Sequence, residues 1–398
     1  MNPSTNAIVI GAGIVGASTA YQLAKAGIGV TLIDKSQGAG YGSSSASSGI
    51  IRFEYTLLDS VIVAWEASHA WASLRDYLEA PADEDLAEFR RNGKIMIDCP
   101  ALPRERIKSH FDTLGIEYQE WDASELHRQI PALDPGRFYP PKPLEDEAFW
   151  DPPQGDLGAI YTPNAGFVDD PRLACENFAR AAARQGAQLL YRTRVGGIGQ
   201  KIGGGWEVTL EDGTVLETDI VVNAGGPWSP EVNGLAGVGS EFKITNRPLR
   251  QEVHAVPAPL GFNPEGSIGV CVADQDLGYY LRPEPSGSLV IGGTEPACDT
   301  LEWVEGEVDA VNLNRTAELF EKQVTRAARR FPELPIPPRP AGVAGVYDVA
   351  TDWTPIYDKT AQEGFFVAIG TSGNQFKNGP LIGEFLRAIV ETEAQGAD

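Results

Sequence analysis

Three glycines in "GAGIVG", Gly11, Gly13 and Gly16, followed by an acid at the end of the next apolar run, Asp34, have the types and spacing to hold a dinucleotide. Gly11 permits a tight turn, Gly13 lets the backbone approach a pyrophosphate, and Gly16 lets a helix and a strand pack closely. Amides and the positive dipole end at the helix start would face the phosphates, and the Asp34 carboxylate could accept hydrogen bonds from ribose hydroxyls. Two other stretches could deliver cations. "GSSSASSGIIR" strings small residues and hydroxyls ahead of Arg52, while "GTSGNQFKNGP" is a glycine-rich loop carrying Lys377 and ending on Pro380 at a helix start.

The elements that must position these groups follow from the apolar patterning. "NAIVI" reads as a buried strand, "ASTAYQLAKAG" as a helix closed by Gly27, and "VTLIDK" as a second strand. "DIVVNAGGPWSP", residues 219–230, is another strand running into a glycine turn, suited to a second loop over the ligand. Runs at "NGKIMIDC", "RQEVHAV", "GYYLRPE" and "SLVIGGTE" lie between proline and glycine turns, the pattern of an antiparallel sheet. A helix over residues 308–330 carries Leu313, Ala317, Phe320 and Val324 at helical spacing and is expected to cover that sheet. "PELPIPPRPAG" is a stiff return linker.

Length and composition narrow the classes. A chain of 398 residues suggests two domains sharing a ligand. No apolar run approaches the roughly 20 residues of a membrane span, and "MNPSTNAIVIGAG" lacks the basic flank of a secretory signal, so a soluble, cytoplasmic protein is expected. A net charge of -23 disfavours nucleic acid as a partner. The four cysteines, Cys99, Cys175, Cys271 and Cys298, form no CxxC pair and read as buried apolar thiols, and the four scattered histidines show no metal-ligand spacing.

The fingerprint cannot separate NAD from FAD, but the ordered motifs do more. "GAGIVGASTAYQLAKAGIGVTLIDK", "SSGIIRFEY", "VDDPRLACENFARAAARQGA", "NAGGPWSP", "GYYLRPEPSGSLVIGG" and "YDVATDWTPIYD" followed by "IGTSGNQFKNGP" resemble the FAD-dependent amine and amino-acid oxidases of the D-amino-acid oxidase superfamily, especially the monomeric sarcosine oxidase branch. The resemblance implies an α/β plus α+β architecture. A Rossmann-like FAD-binding domain would comprise residues 1–90, 150–232 and 338–398, and an antiparallel-sheet substrate domain residues 91–149 and 233–337.

By the same resemblance, the cofactor runs past Gly11, Gly13, Ile14, Val15 and Gly16, with Asp34 and Lys35 at the second strand's end. The serine stretch adds Ser43, Ser44, Ser45, Ser48, Gly49 and Ile50. Val195, Ala224, Gly225 and Trp228 follow, then Gly345 and Val346, and finally Gly373, Asn374, Gln375, Phe376 and Lys377. Arg52 and Lys377 match the carboxylate-gripping pair, and Tyr347 and Tyr280 line the substrate pocket. The implied chemistry is oxidation of a carboxylate-bearing amine (an N-methyl, secondary or ordinary amino acid) to an imine that water hydrolyses.

Three positions depart from the branch. Gly345 stands where a cysteine bonds covalently to the flavin, so non-covalent FAD is expected. Asp276 aligns with a lysine over the flavin face, where an anion would not promote reaction with oxygen. Tyr280 replaces a histidine. The electron acceptor is therefore open between oxygen, a quinone and a protein, no side chain stands out as a general base, and a monomer or small oligomer is expected. Two alternatives share these features: a flavoprotein 2-hydroxy-acid dehydrogenase, and a non-catalytic flavin-binding subunit of a larger complex.

Overall fold

The computed structural model of the chain describes residues 5–394. Alternation along Asn6–Ile10 makes this strand central. Ala7 and Val9 pack on one side with Tyr21, Phe178 and Leu386, whereas Ile8 and Ile10 pack on the other with Trp206 and Val208. A strand buried on both faces must be apolar where it is buried, as this one is from Ala7 to Ile10, beyond the exposed Asn6. The resulting six-stranded sheet runs in the order Ile356–Lys359, Phe365–Ile369, Ile220–Asn223, Asn6–Ile10, Gly29–Ile33, Gln188–Leu190. Its neighbours are parallel except at the Ile356–Lys359 edge. Helices Ile14–Lys25, Pro171–Arg184 and Gly379–Ala394 cover one face, and the antiparallel strands Val195–Gln200, Trp206–Leu210 and Val215–Thr218 cover the other.

A second, eight-stranded sheet runs Gly342–Ala350, Asn246–Pro257, Ser288–Gly293, Tyr279–Pro283, Cys271–Asp274, Lys94–Ile97, Ala159–Thr162, Gln119–Trp121. It is antiparallel except that Cys271–Asp274 runs parallel to Lys94–Ile97, a pairing that a purely antiparallel expectation missed. The period of two sorts its side chains. Ile95, Ile97, Tyr279 and Leu281 join the core under the helix Ala317–Arg330, while Lys94, Met96 and Tyr280 face a cavity between the two sheets.

Local chemistry corrects three sequence-based expectations. The covering helix begins at Ala317, not near residue 308, because the Thr316 hydroxyl caps it from Leu319 N and Glu252 holds Thr316 N, leaving Leu313 exposed. Strands Ala159–Thr162 and Gly342–Ala350, assigned from sequence to the dinucleotide-binding unit, pair instead in the eight-stranded sheet, the latter along its full length with Asn246–Pro257. Cys298 is only half-buried, and its sulfur accepts from Arg326 at 3.3 Å, so it is not an apolar core thiol like Cys99, Cys175 and Cys271. Among the described residues no helix is long and apolar enough to cross a membrane.

Candidate active site

One cavity of about 550 Å³ lies between the sheets, with Asp34 and Lys377 among the residues that line it. At its first end, Gly11 has φ +103°, and a Cβ there would stand 2.4 Å from the Ala224 carbonyl oxygen. Only glycine lets this turn pass so close to the neighbouring strand's end. The first-turn amides of Ile14–Lys25 open toward the cavity, and Ser44 Oγ accepts from Ile14 N at 3.1 Å. Asp34 accepts from Ala12 N and Ser36 N, both at 2.7 Å, which orients its carboxylate at the strand tip.

The serine stretch is an ordered connector. Ser43 Oγ donates to Val346 O at 2.5 Å, Ser45 Oγ to Gly42 O at 2.9 Å, and Gly49 N to Ser47 Oγ at 3.1 Å. Ser48 Oγ meets the Tyr280 hydroxyl at 2.9 Å, so the segment ties the dinucleotide turn to the second sheet. It then forms Ile50–Ile51, a short strand paired with Gly166–Val168, which carries the chain to Arg52.

Cations converge at the far end. Arg52 Nη1 donates to Glu54 O at 2.9 Å, and its guanidinium carbon lies 4.4 Å from the Tyr55 ring centroid. Lys377 Nζ lies 5.3 Å from the same centroid and donates to Asn374 O. Trp71 fixes that loop by stacking on Phe376 and donating to Lys377 O at 2.7 Å. Burial, reinforced by Arg52, pushes the Lys377 ammonium well below the ordinary lysine range. Lys94 is also pushed down by burial, although Glu54 opposes the shift, and the two form a fully buried pair at 2.9 Å. Burial would raise Glu54, yet Lys94 and Arg52 together hold it below its usual value. Among the described residues whose charges act on Lys377, Arg52 and Lys94 face one carboxylate, Glu54. Among the described residues, neither Arg52 nor Lys377 has a carboxylate partner. The site is built to attract an anion.

A family model described as FAD dependent oxidoreductase matches residues 6–389, almost the whole chain. The chain belongs to this family. It is 24% identical over 421 aligned residues to FAD-dependent oxidoreductase domain-containing protein 1 of Bos taurus, covering 98% of this chain and 82% of that protein. It is 26% identical to the mitochondrial sarcosine dehydrogenase of Homo sapiens, covering 92% of this chain but only 38% of that longer protein. L-proline dehydrogenase from P. horikoshii has the same fold, with a TM-score of 0.78 at 23% identity, over 99% of this chain and 94% of the other.

The chain is therefore an FAD oxidoreductase with a mixed α/β fold, and its residues fit the cofactor. The close cradle at Gly11 and Ala224, the helix start and the oriented Asp34 supply the parts a dinucleotide needs. The Tyr55 hydroxyl, buried beside the cations, has no hydrogen-bond partner among the described residues, as a group awaiting a bound molecule would. At the rim, Asp309 joins Lys35, Arg194 and Trp228 Nε1, and Lys35 lies 3.9 Å from the Trp228 ring centroid.

Most residues proposed from sequence for this FAD oxidoreductase line the one cavity; four do not. Gly16 lies against Gly11, where a Cβ would sit 1.8 Å from its carbonyl oxygen. Ser45 is exposed, Val346 offers its carbonyl to Ser43, and a Cβ at Gly345 would meet Ala46 at 2.7 Å. Asp276 is a larger correction. It is fully buried outside the cavity, accepting from Phe138 N and Tyr139 N at 2.8 Å and pairing with Arg330 at 3.0 Å. Its neighbour Gln275 faces the cavity instead, because side chains in the turn between Cys271–Asp274 and Tyr279–Pro283 diverge. An effect of Asp276 on oxygen reactivity loses its basis.

Sequence reasoning missed Glu54, Tyr55, Lys94, Glu295 and Asp309. Two of these left a signal: in "RFEY" Arg52 and Glu54 are two apart, and in "KIMI" Lys94 shares a face with Met96, so period two already grouped them. Glu295 follows a strand in irregular backbone and Asp309 sits in a single short turn, Val308–Ala310, so neither left a periodic signal. Tyr280 and Tyr347 both line the cavity, and burial raises both phenols. The Tyr347 ring packs on Gly373, at φ +68°, where a Cβ would lie 2.2 Å from the ring.

Proposed function

We propose that this FAD oxidoreductase oxidises a carboxylate-bearing amine, either an amino acid or an N-methyl or secondary amino acid. The observation that carries the reading is the pair Arg52 and Lys377, both without a carboxylate partner among the described residues, on one Tyr55 ring in the cavity that also holds the dinucleotide cradle. Two charge-assisted donors on one anion bind and orient it, leaving the carbon beside the carboxylate in a fixed place. The names of the relatives, sarcosine dehydrogenase and L-proline dehydrogenase, support an amine as the other functional group. Bound FAD supplies the acceptor for the two electrons that leave with the carbon's hydrogen. The product imine then takes up water and breaks its C–N bond, giving a carbonyl compound and an amine.

Roles follow from position. Arg52 and Lys377 hold the carboxylate, Tyr280 and Tyr347 wall the pocket, and the Glu54–Lys94 pair keeps Arg52 aimed through Glu54 O. The six-stranded unit serves the cofactor and the eight-stranded sheet the substrate. FAD is held without a covalent bond at position 345, since a glycine offers no thiol there and its Cα hydrogen faces the serine turn. Acid precipitation should therefore release the yellow colour to the supernatant.

Anaerobic mixing of purified holoprotein with panels of N-methyl, cyclic secondary, D- and L-amino acids tests the function. Bleaching by members of the panel, but not by amines lacking a carboxylate, is expected. Bleaching by 2-hydroxy acids alone, or by nothing, overturns the reading.

A further inference from the structure

Glu295 follows the strand Ser288–Gly293 and lines the same cavity as Arg52 and Lys377. Unlike Glu54, whose carboxylate is bonded to Lys94 and Thr162, its carboxylate has no hydrogen bond or ion pair among the described residues. Its backbone is left-handed, φ +50°, a region that a non-glycine residue enters at a cost and that the following Pro296 makes less favourable still. Flanking bonds hold it there: Thr294 N donates to Gly278 O at 3.2 Å and Asp299 N to Pro296 O at 2.8 Å. Strain of this kind persists where the surroundings enforce it, commonly at functional sites.

The groups around this carboxyl come from three directions. Tyr280 and Tyr347 line the same cavity from two strands, and the negative charge of Glu295 adds to burial in raising both phenols. Asp299 lies on its own loop, paired with Arg326 at 2.7 Å and within 4.0 Å of Lys322. Among the described residues no cation pairs with Glu295, so the cavity has an excess of positive charge around Arg52 and an unpaired acid among its lining residues. An amino acid with its carboxylate at Arg52 and Lys377 has the complementary pattern.

We propose that Glu295 accepts the proton that the substrate's ammonium group must lose, so that the amine stands uncharged when its carbon is oxidised. The inference rests on the function proposed above. The step is balanced: the ammonium N–H bond breaks, its pair stays on nitrogen as the lone pair the imine will need, and the proton joins a Glu295 oxygen. Burial, with Asp299 adding to it, raises the Glu295 carboxyl to about 8. An alkylammonium like that of lysine titrates at about 10.4, so this carboxyl lies far closer to its proton donor than an ordinary glutamate at about 4.3.

The test compares the pH dependence of anaerobic flavin bleaching in wild type and Glu295→Gln, using an amino acid that bleaches the wild type. Wild-type kcat/KM should rise through a limb near pH 8 and then level off. In Glu295→Gln that limb should vanish, with a loss on the order of 10²-fold or more at pH 7–8. Above the substrate's own ammonium pKa the variant should recover to within a few-fold, which a merely structural defect would not do. Binding of a carboxylate ligand without an amine should stay unchanged. Glu295→Asp, which keeps an acid, should retain the limb at a lower rate and serves if the glutamine variant does not fold. A Glu295→Gln profile that overlays the wild type overturns this proposal alone. Failure of every amino acid to bleach the wild type overturns the proposed function and this inference with it.

Discussion

Arg52 and Lys377 stand against one ring, with the guanidinium carbon 4.4 Å and the ammonium nitrogen 5.3 Å from the Tyr55 centroid, although they enter the cavity from opposite ends of the chain. Two cations held together in a buried site repel each other, which favours the neutral form of Lys377 until an anion between them restores the charged one.

Shared work on one carboxylate has a measurable consequence. Replacing either Arg52 or Lys377 with Met should weaken a carboxylate inhibitor by about 2 kcal/mol, roughly thirtyfold, because the acid must still leave water after losing a charged donor. The double variant should lose less than the sum, since an anion released by one partner no longer sits where the other reaches it. Inhibitor titration of the flavin spectrum measures each. An amine without a carboxylate should bind Arg52→Met as well as it binds the wild type; equal losses would mean that Arg52 serves the fold.

The depressed Lys377 makes anion binding depend on pH. Burial and then Arg52 favour its neutral form, whereas a bound carboxylate favours the charged form, so binding takes up a proton once pH exceeds the lysine's free value. Affinity for a simple carboxylate should be highest at low pH. It should fall tenfold per unit as pH rises between the free and bound values, and Lys377→Met should flatten the curve. A wild-type affinity that strengthens with pH contradicts this sign.

Asp309 is expected to act as a latch on the bound cofactor, because it reaches Lys35, Arg194 and Trp228 at the rim from a distant segment. Each contact is half-exposed and individually weak, so Asp309→Ala should raise the FAD dissociation constant only several-fold. Burial acts to raise Asp309, but Lys35 and Arg194 prevail and hold it below the usual aspartate value. The latch is accordingly complete above about pH 4 and should be lost as pH falls through that depressed value. Flavin release on dilution, followed by fluorescence, reads both effects.

Asp276 anchors structure. Removing it as Asp276→Ala leaves Arg330 with Asp274 as its remaining carboxylate partner among the described residues and two backbone amides without their acceptor. Loss of a buried charge partner should cost about 3–5 kcal/mol, visible as a large fall in Tm. Asp276→Lys should fare worse, by burying a second cation beside Arg330, and should not speed reoxidation of any folded fraction.

Local order was legible because it depends on neighbours in the chain. The turn at Gly11, the helix after it, Asp34 at a strand tip and the alternation that sets Lys94 beside Met96 all follow from backbone sterics and side-chain period. So did the motifs that identified an FAD oxidoreductase. Where the covering helix begins was misjudged, because its start is set by the local Thr316 cap together with Glu252, which reaches Thr316 N from a distant strand, and the two override the apolar pattern around Leu313. The direction of Asp276 was misjudged for a similar reason: a turn decides it, and the partner that holds it, Arg330, lies on a helix far along the chain. Only the packing of two sheets against each other brings Arg52, Lys94, Lys377 and Glu295 around one space. Charges meeting across that space acquire their properties from burial and from one another, and neither exists along an isolated chain.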